Sequence, residues 1–332
     1  MHESGYKPHK HAFFVDFECH LSNDQYVMPE YSIRKLKDSD IKAAFRLVID
    51  STNHLRKLTG FEQIRLRVTK PEPLLLHLKH TDPDGCIGAF AGDKLIGYAS
   101  SIIRESQWYL AYLFVRPGRW SQGIGQKLLK RVLKTANPGR VNTFSLCTFA
   151  YNPQAVALYS RFGMPPVEPI SILRWQRKDK SRLKLPRPGR ELDIRQVSDY
   201  EDLRFINKLD RANRGIARPE EHKFFIDNEK TNIVRLYDGR KAIGYAVVYT
   251  EGMIAPVSAI EADYLPDMVA TLVKYQYDRQ TPQIGFYCPG SNGSIMKSLL
   301  ESGMMIREVT LLMSNRRFGN LDNYLPAHLA VF

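Results

Sequence analysis

The chain has 332 residues with 43% hydrophobic content, a length that usually corresponds to two domains with ordinary cores. No apolar run approaches the ~20 residues of a membrane-spanning helix, and the first residues lack the charged-then-apolar pattern of a secretory signal. The four cysteines are far apart and lack metal-ligand spacing, so we expect a reduced, cytoplasmic protein without a bound metal.

The net charge of +13 is unevenly distributed along the chain. Residues 174–190 contain eight lysines or arginines and one aspartate, so this short segment holds about half of the excess. Clustered charge of this kind is typical of a solvated linker, and a phosphate-rich ligand would suit it as well as a nucleic acid. The charge therefore does not favour a nucleic-acid-binding protein.

Residues 1–30 show no clear hydrophobic periodicity, and we interpret them as a tail or a surface arm. They contain His9, His11, Cys19 and His20, whose spacing fits no common metal site.

Regular elements are predicted from residue 31 onward. Tyr31–Leu36 has the pattern of a first strand, and Asp38 and Asp40 are plausible caps for the helix that follows. A variable helical region extends to about residue 80. Two β-rich runs, Cys86–Ala91 and Lys94–Ile103, are joined by Gly92-Asp93 and predict a hairpin.

The segment Trp108–Val115 is aromatic and branched enough to predict a buried strand, which Pro117 ends. A glycine-rich stretch, residues 118–125, then leads into a helix with one apolar stripe and a basic outer face. A strand, a glycine-rich turn and a helix start together favour phosphate binding, because the unpaired N–H groups and the helix dipole attract anions.

A second short strand is predicted at Phe144–Phe149. Asn152, followed by a proline, then caps another amphipathic helix, and Gly163 ends it.

With this second strand and helix in place, the sequence resembles the GNAT superfamily of acyl-CoA N-acyltransferases. The motifs that carry the resemblance are Val115-x-Pro117, Gly123-x-Gly125, Leu128, and Asn152-x-x-Ala155-x-x-Leu158-Tyr159-x-x-x-Gly163. One departure is Trp120, at a place where the family usually has Arg or Gln, so we expect altered CoA binding. The resemblance covers about residues 31–175 and implies an α/β (α+β) fold, a mixed but mostly antiparallel sheet flanked by helices.

The resemblance also implies an N-acetyltransferase that transfers an acyl group from acetyl-CoA to a primary amine by direct attack. The cofactor-binding positions that it implies are Leu113, Phe114, Val115, Trp120, Ser121, Gln122, Gly123, Ile124, Gly125, Gln126 and Asn152. Tyr159 matches the residue that protonates the leaving thiolate, although a tyrosine here could also be a core aromatic.

The general base is left open by the sequence. Glu105 is the nearest carboxylate to the central strand and is the candidate catalytic base, Tyr112 is a second candidate, and a water chain is a third possibility. Cys147 could suggest a covalent intermediate, but a buried structural cysteine is the commoner role.

The pattern of the first half returns after the linker, which indicates an internal repeat. Residues 242–246 repeat 95–99, and Asn292 and Gly303 are spaced like Asn152 and Gly163. The second copy has no G-x-G, and Leu299 stands where Tyr159 stands. We therefore predict two tandem GNAT-like domains, the second degenerate. The predicted boundaries are 1–30 for the tail, 31–175 for the catalytic domain, 176–190 for the basic linker and 191–332 for the degenerate domain.

Two alternatives to this function are a GNAT-like transferase that uses aminoacyl-tRNA and a non-catalytic acyl-CoA-binding protein. The intact Gly123-Ile-Gly125 argues against the first, and Trp120 is the best support for the second. The sequence does not identify the acceptor amine. We expect the second domain to pack against the first and to wall the acceptor pocket, and a homodimer is possible.

Overall fold

The structure is a computed structural model that describes residues 30–179 and 182–332. Residues 1–29 of the predicted tail, which include His9, His11, Cys19 and His20, lie outside the described residues. Within the described ranges, no helix is both long enough and apolar enough to cross a membrane.

The first half follows the predicted order of elements. Its strands are β1 (Ser32–Lys35), β2 (Ile87–Ala91), β3 (Lys94–Arg104), β4 (Gln107–Val115), β5 (Thr143–Phe149) and β6 (Pro166–Gln176). Its helices are α1 (Ile41–Leu58), α2 (Pro73–Thr81), α3 (Ile124–Leu133) and α4 (Pro153–Arg161). The predicted hairpin, both predicted strands around the glycine-rich stretch, and both helices are confirmed. The predicted helical region before residue 80 is interrupted, because residues 61–72 form no helix.

The second half repeats these elements without a glycine-rich loop. Its strands are β7 (Asp193–Val197), β8 (Thr231–Asp238), β9 (Lys241–Tyr249), β10 (Ile254–Ala259), β11 (Gln283–Pro289), β12 (Met305–Ser314) and β13 (Tyr324–Leu325). Its helices are α5 (Leu203–Asn213), α6 (Pro219–Asp227), α7 (Leu265–Asp278) and α8 (Gly293–Glu301).

The two halves share one sheet. Eight strands pair in the order β1-β2-β3-β4-β5-β12-β6-β11, so β12 of the second half lies between β5 and β6 of the first. Ile170 pairs with Thr310, and this pair differs by 140 in number, as Asn152 and Asn292 do. The repeat in the sequence is therefore a pseudo-twofold relation centred between β6 and β12. The other strands of the second half form a separate sheet in the order β13-β10-β9-β8-β7.

Buried charges also join the halves. The Arg104 guanidinium on β3 lies 2.9 Å from the carboxylate of Glu221 on α6 and 2.8 Å from that of Asp82. Both Arg104 and Glu221 are buried. Burial acts to raise the pKa of Glu221, but contacts with His77 and Arg104 outweigh it and lower the pKa to about 2. This cluster fixes the second half against the hairpin that precedes β4.

Candidate active site

Strands β4 and β5 separate half-way along β4. Their parallel pairing runs from Gln107 opposite Thr143 to Leu110 opposite Leu146 and stops there. At the same place β4 has a bulge, because Ser100 lies opposite Tyr112 and Ser101 opposite Leu110, which leaves Ala111 as an extra residue. Beyond the bulge the strand is half-buried, whereas residues 107–110 are buried. The sheet therefore opens a cleft along residues 111–115.

Two residues of β4 direct main-chain groups into this cleft. The N–H of Arg116 donates to Ile96 on β3, so strand alternation turns the N–H groups of Leu113 and Val115 away from β3 and towards the cleft. The main-chain N–H and C=O groups of Phe114 point towards β3 instead, so we leave Phe114 out of the proposed contacts. The predicted contacts at Leu113 and Val115 stay compatible with this geometry.

The loop between β4 and α3 presents free N–H groups. The main-chain N–H groups of residues 121–126 have no hydrogen-bond partner within residues 30–179 and 182–332. Ser121 and Gly123 both have positive φ angles, 63° and 74°. Alternation of left-handed and right-handed backbone gathers successive N–H groups into an anion-binding concavity, and strain at a non-glycine residue is typical of a functional loop.

The three residues at the start of α3 have different roles. A Cβ on Gly123 would meet nothing within 4 Å, so the backbone here borders open space. Ile124 is buried in the core formed with Leu128 and Trp108. A Cβ on Gly125 would contact Val115 at 3.6 Å, which shows how closely the helix approaches β4. Gln122 and Gln126 are on the outer side of the loop, half-buried and exposed respectively.

The Trp120 side chain packs inward and holds the loop against β4 and α1. Its indole N–H donates a 2.7 Å hydrogen bond to the carbonyl oxygen of Val115, which also accepts one from the Ser51 hydroxyl at 3.0 Å. His54 packs edge-on against the indole, with ring centroids 4.9 Å apart. The carbonyl of Val115 is thus already satisfied, and Leu113 has the freer main-chain groups in the cleft.

Asn152 and Tyr159 both belong to α4, the helix that follows β5, Asn152 as its cap. The Asn152 side chain accepts a 3.2 Å hydrogen bond from Ala155 N and caps α4, as predicted. Tyr159 is 6% exposed and belongs to the core beneath α3 and α4. Burial raises the pKa of Tyr159 well above its ordinary value, so the hydroxyl remains protonated at neutral pH. A protonated hydroxyl at this place can donate a proton or a hydrogen bond.

Glu105 lies far from the cleft. It occupies the turn between β3 and β4, eight residues from Leu113 and thus ~27 Å away along the strand. Its carboxylate pairs with Arg211 of the second half at 2.7 Å. Glu105 therefore connects the halves and is not part of the site that we propose.

Tyr112 on β4 and Cys147 on β5 both pack in a cluster with residues of α2, and Tyr112 also packs with α1. Burial, followed by the charge of Glu72, raises the pKa of Tyr112 far above neutrality, so it cannot accept a proton there. Burial raises the pKa of the Cys147 thiol to about 12, which disfavours a thiolate nucleophile. Both observations support direct transfer with a base elsewhere.

Comparison with known families gives the family of the part of the chain that contains this site. Residues 53–164 match the profile described as the acetyltransferase (GNAT) family. Residues 53–164 of this chain therefore form a domain of the GNAT acetyltransferase family. The matched range contains the split strand, the loop of free N–H groups and α4.

Relatives and solved structures agree with this assignment. The thialysine N-epsilon-acetyltransferase of Mus musculus is 26% identical over 151 residues, covering 41% of this chain and 85% of that protein. A putative acetyltransferase from Pyrococcus horikoshii superposes with a TM-score of 0.72 at 16% identity, covering 95% of this chain and all of the other. A tandem GNAT protein from the clavulanic acid biosynthesis pathway superposes with a TM-score of 0.55 at 12% identity, covering 87% and 100% of the two chains. At these identities the two structures show that the fold is shared.

The equivalent cleft of the second GNAT-like copy is filled by the chain itself. Strand β13 pairs with β10 through Tyr324 opposite Ser258 and Leu325 opposite Val257. The side chain of Asn292 donates to the carbonyl oxygens of Leu321 and Tyr324. Met253, the residue before β10, forms an isolated parallel bridge with Gly285 of β11. An extended peptide with free amides thus fits the split of a GNAT sheet in this molecule.

The structure adds Glu72, a carboxylate that sequence reasoning missed. Glu72 is the cap residue of α2 and is half-buried, and α2 packs its apolar face on the cluster that contains Tyr112. Burial raises the pKa of Glu72, and the charge of Lys230 opposes this effect. Glu72 and Tyr112 are 40 residues apart in sequence. Only the packing of α2 against β4 shows that they are neighbours.

Proposed function

We propose that this GNAT protein is an N-acetyltransferase that uses acetyl-CoA as donor and a primary amine as acceptor. The observation that carries the proposal is the row of six unpartnered N–H groups at residues 121–126, beside the opening between β4 and β5. A pyrophosphate needs such donors at a helix start, and the amide-bearing pantetheine arm needs an open strand edge. The same opening in the second half accommodates an extended peptide, which supports the fit.

The roles of the residues follow from their positions. The acceptor amine attacks the carbonyl carbon of the thioester while the Leu113 N–H stabilises the oxyanion. The C–N bond forms, the C–S bond breaks, and the thiolate takes a proton from Tyr159. The proton that the amine loses goes to Glu72, whose raised pKa suits a general base. Glu72 then releases that proton and Tyr159 regains one, which restores both groups for the next turnover.

We further propose that the acceptor is a small molecule with a primary amine on a flexible chain. The support is the 26% identity, over 151 residues, to enzymes named thialysine N-epsilon-acetyltransferase. A cytoplasmic location, with reduced thiols and available acetyl-CoA, is part of this proposal.

An aminoacyl-tRNA donor has less support. Several arginines of the basic segment are engaged within the protein. Arg177 donates to the carbonyl oxygens of Thr281 and Tyr277, and Arg190 pairs with Asp267 at 2.7 Å. These side chains hold the linker against the second half and are less available to a polyanion.

The test is a screen of amines with the full-length protein and acetyl-CoA, read by thiol release and by the mass of the product. We expect stoichiometric CoA release and a product heavier by one acetyl group. Binding of acetyl-CoA without product from any amine would favour the non-catalytic alternative, and no binding would overturn the proposal.

A further inference from the structure

A small cavity lies where the turn between β9 and β10 meets β6 and β11, and we call it the junction cavity. Its volume is about 220 Å³, below the ~300–1,000 Å³ of pockets for drug-sized ligands. Its walls consist of Arg174, Tyr249, Glu251, Met253, Gln283, Tyr287 and His328. Arg174 comes from the first half and all the others come from the second half.

One wall of the junction cavity supplies hydrogen-bond donors. The Nε of Arg174 is buried without a hydrogen-bond partner, and no carboxylate within the described ranges pairs with this guanidinium. His328 accepts a hydrogen bond at Nδ1 from Ala330 N at 3.2 Å, which leaves its proton on Nε2. Burial lowers the pKa of His328 to about 4, so the ring is neutral. A carboxylate is the ligand that these donors suit.

The lining of the junction cavity also includes an acidic group. Glu251 is exposed on the β9–β10 turn and forms no ion pair with any residue that the structure describes. An arginine and a glutamate that share a small cavity without pairing match a ligand that has both a carboxylate and an ammonium group. The cavity is therefore suited to a zwitterion.

A row of tyrosines connects the junction cavity to the cleft of the first half. Tyr249 and Tyr287 line the cavity and belong to the same hydrophobic cluster as Tyr112 and Cys147 on β4 and β5. Glu72 lies beyond Tyr112, close enough for its charge to act on that hydroxyl. The tyrosines of the cavity also lie near that of the cleft, since Tyr249 and Tyr287 both interact electrostatically with Tyr112.

We propose that the junction cavity binds the acceptor and that this acceptor is a free amino acid with a primary amine on its side chain. Arg174 holds the α-carboxylate, Glu251 holds the α-ammonium group, and the side-chain amine reaches the β4–β5 cleft. The inference rests on the proposed function and assigns recognition of the acceptor to both halves, through Arg174 of the first and Glu251 of the second.

The test compares three amines that differ in one group each: lysine, cadaverine, which lacks the carboxylate, and 6-aminohexanoate, which lacks the α-amino group. Arg174→Gln should raise KM for lysine and for 6-aminohexanoate by about 10- to 100-fold, the range for one or two charge-assisted hydrogen bonds. It should leave KM for cadaverine and for acetyl-CoA unchanged. Glu251→Gln should raise KM for lysine and cadaverine and spare 6-aminohexanoate.

The crossed pattern separates recognition from loss of folding, since a misfolded variant would lose activity with all three amines. Arg240→Gln, an exposed arginine on the turn between β8 and β9, is the matched control and should change none of these constants. Equal effects of Arg174→Gln on all three amines, or no effect, would overturn the inference. If the wild-type protein binds acetyl-CoA but acetylates only amines that have no carboxylate, the amino-acid acceptor is excluded while the proposed function survives. If it does not bind acetyl-CoA, the proposed function itself fails.

Discussion

Asn152 and Asn292 occupy equivalent positions in the two halves, but their side chains bind different partners. Asn152 caps its own helix through Ala155 N, whereas Asn292 donates to the carbonyl oxygens of residues 321 and 324. In the first half the cleft next to this asparagine is open, and in the second half it holds the chain. The two halves therefore share a fold, but only the cleft of the first half is open to a ligand.

Replacement of Glu72 tests the proposed base. Glu72→Gln should lower kcat/KM for the amine by about 10²–10⁴, because the attacking amine loses its proton acceptor. Since burial raises the pKa of Glu72 and only the ionised form accepts a proton, the wild-type rate should fall as the pH drops through that raised pKa. The Gln variant should lose this acidic limb. Glu229→Gln, an exposed change on the loop beside Lys230, should leave the profile intact. An acidic limb that persists in Glu72→Gln would assign it to another group.

Removal of the Tyr159 hydroxyl tests the proposed acid. Tyr159→Phe keeps the ring in the core and should lower kcat by up to about 10²–10⁴ with little change in acetyl-CoA affinity. Tyr98→Phe is the matched control, because Tyr98 is also a buried tyrosine of the first half. Steady-state rates with saturating acceptor give the comparison, and an unchanged kcat in Tyr159→Phe would exclude it as the acid.

Truncation tests the dependence of the first half on the second. A fragment of residues 1–185 lacks β12, which pairs with both β5 and β6 in the shared sheet. Its unpaired strand edges and apolar face should make it poorly soluble or alter its acceptor preference. Thermal unfolding and acceptor profiles, compared with the full chain, provide the measurement. A fragment of equal stability and unchanged kinetics would show that the second half is dispensable.

Acid stability tests the ion cluster between the halves. Because the folded pKa of Glu221 is about 2 and the unfolded value is 4.5, its contribution is complete above pH 4.5 and disappears as the pH falls towards 2. The shift corresponds to roughly 3 kcal/mol of unfolding free energy. Glu221→Gln should be less stable at neutral pH and should lose less between pH 4.5 and 2. The free energy of unfolding is measured by denaturant titration at each pH, and the exposed Glu301→Gln should behave like wild type. If the free energy of unfolding of Glu221→Gln depends on pH as that of wild type does, this account is contradicted.

Local patterns in the sequence predicted most of the first half. The strand at Trp108–Val115, the helix after Gly123-Ile-Gly125 and the cap at Asn152 depend on neighbours in sequence, and each is present. The repeat also predicted the second half and its missing glycine loop.

Contacts between residues distant in sequence could not be predicted from these local patterns. The insertion of β12 between β5 and β6 depends on pairing across about 140 residues, which strand periodicity does not encode. Glu105 was chosen for its closeness in sequence to β4, but a turn places it at the wrong end of the strand, whereas Glu72 reaches Tyr112 through packing of α2. The basic run at residues 174–190 predicted a solvated linker, yet Arg174 lies in β6 and lines the junction cavity.

The stoichiometry of acetyl-CoA binding, measured by calorimetry, tests the central claim most directly. We expect one acetyl-CoA per chain for the wild type, because residues 121–126 offer free N–H groups and β13 closes the second cleft. Gly123→Asp should abolish binding by placing a carboxylate in the phosphate cradle. Gly92→Asp is the matched control, since Gly92 also has a positive φ (57°) and open space around its Cβ, and it should bind normally. Two acetyl-CoA molecules per chain, or undiminished binding by Gly123→Asp, would contradict the assignment of the cofactor site to the first half.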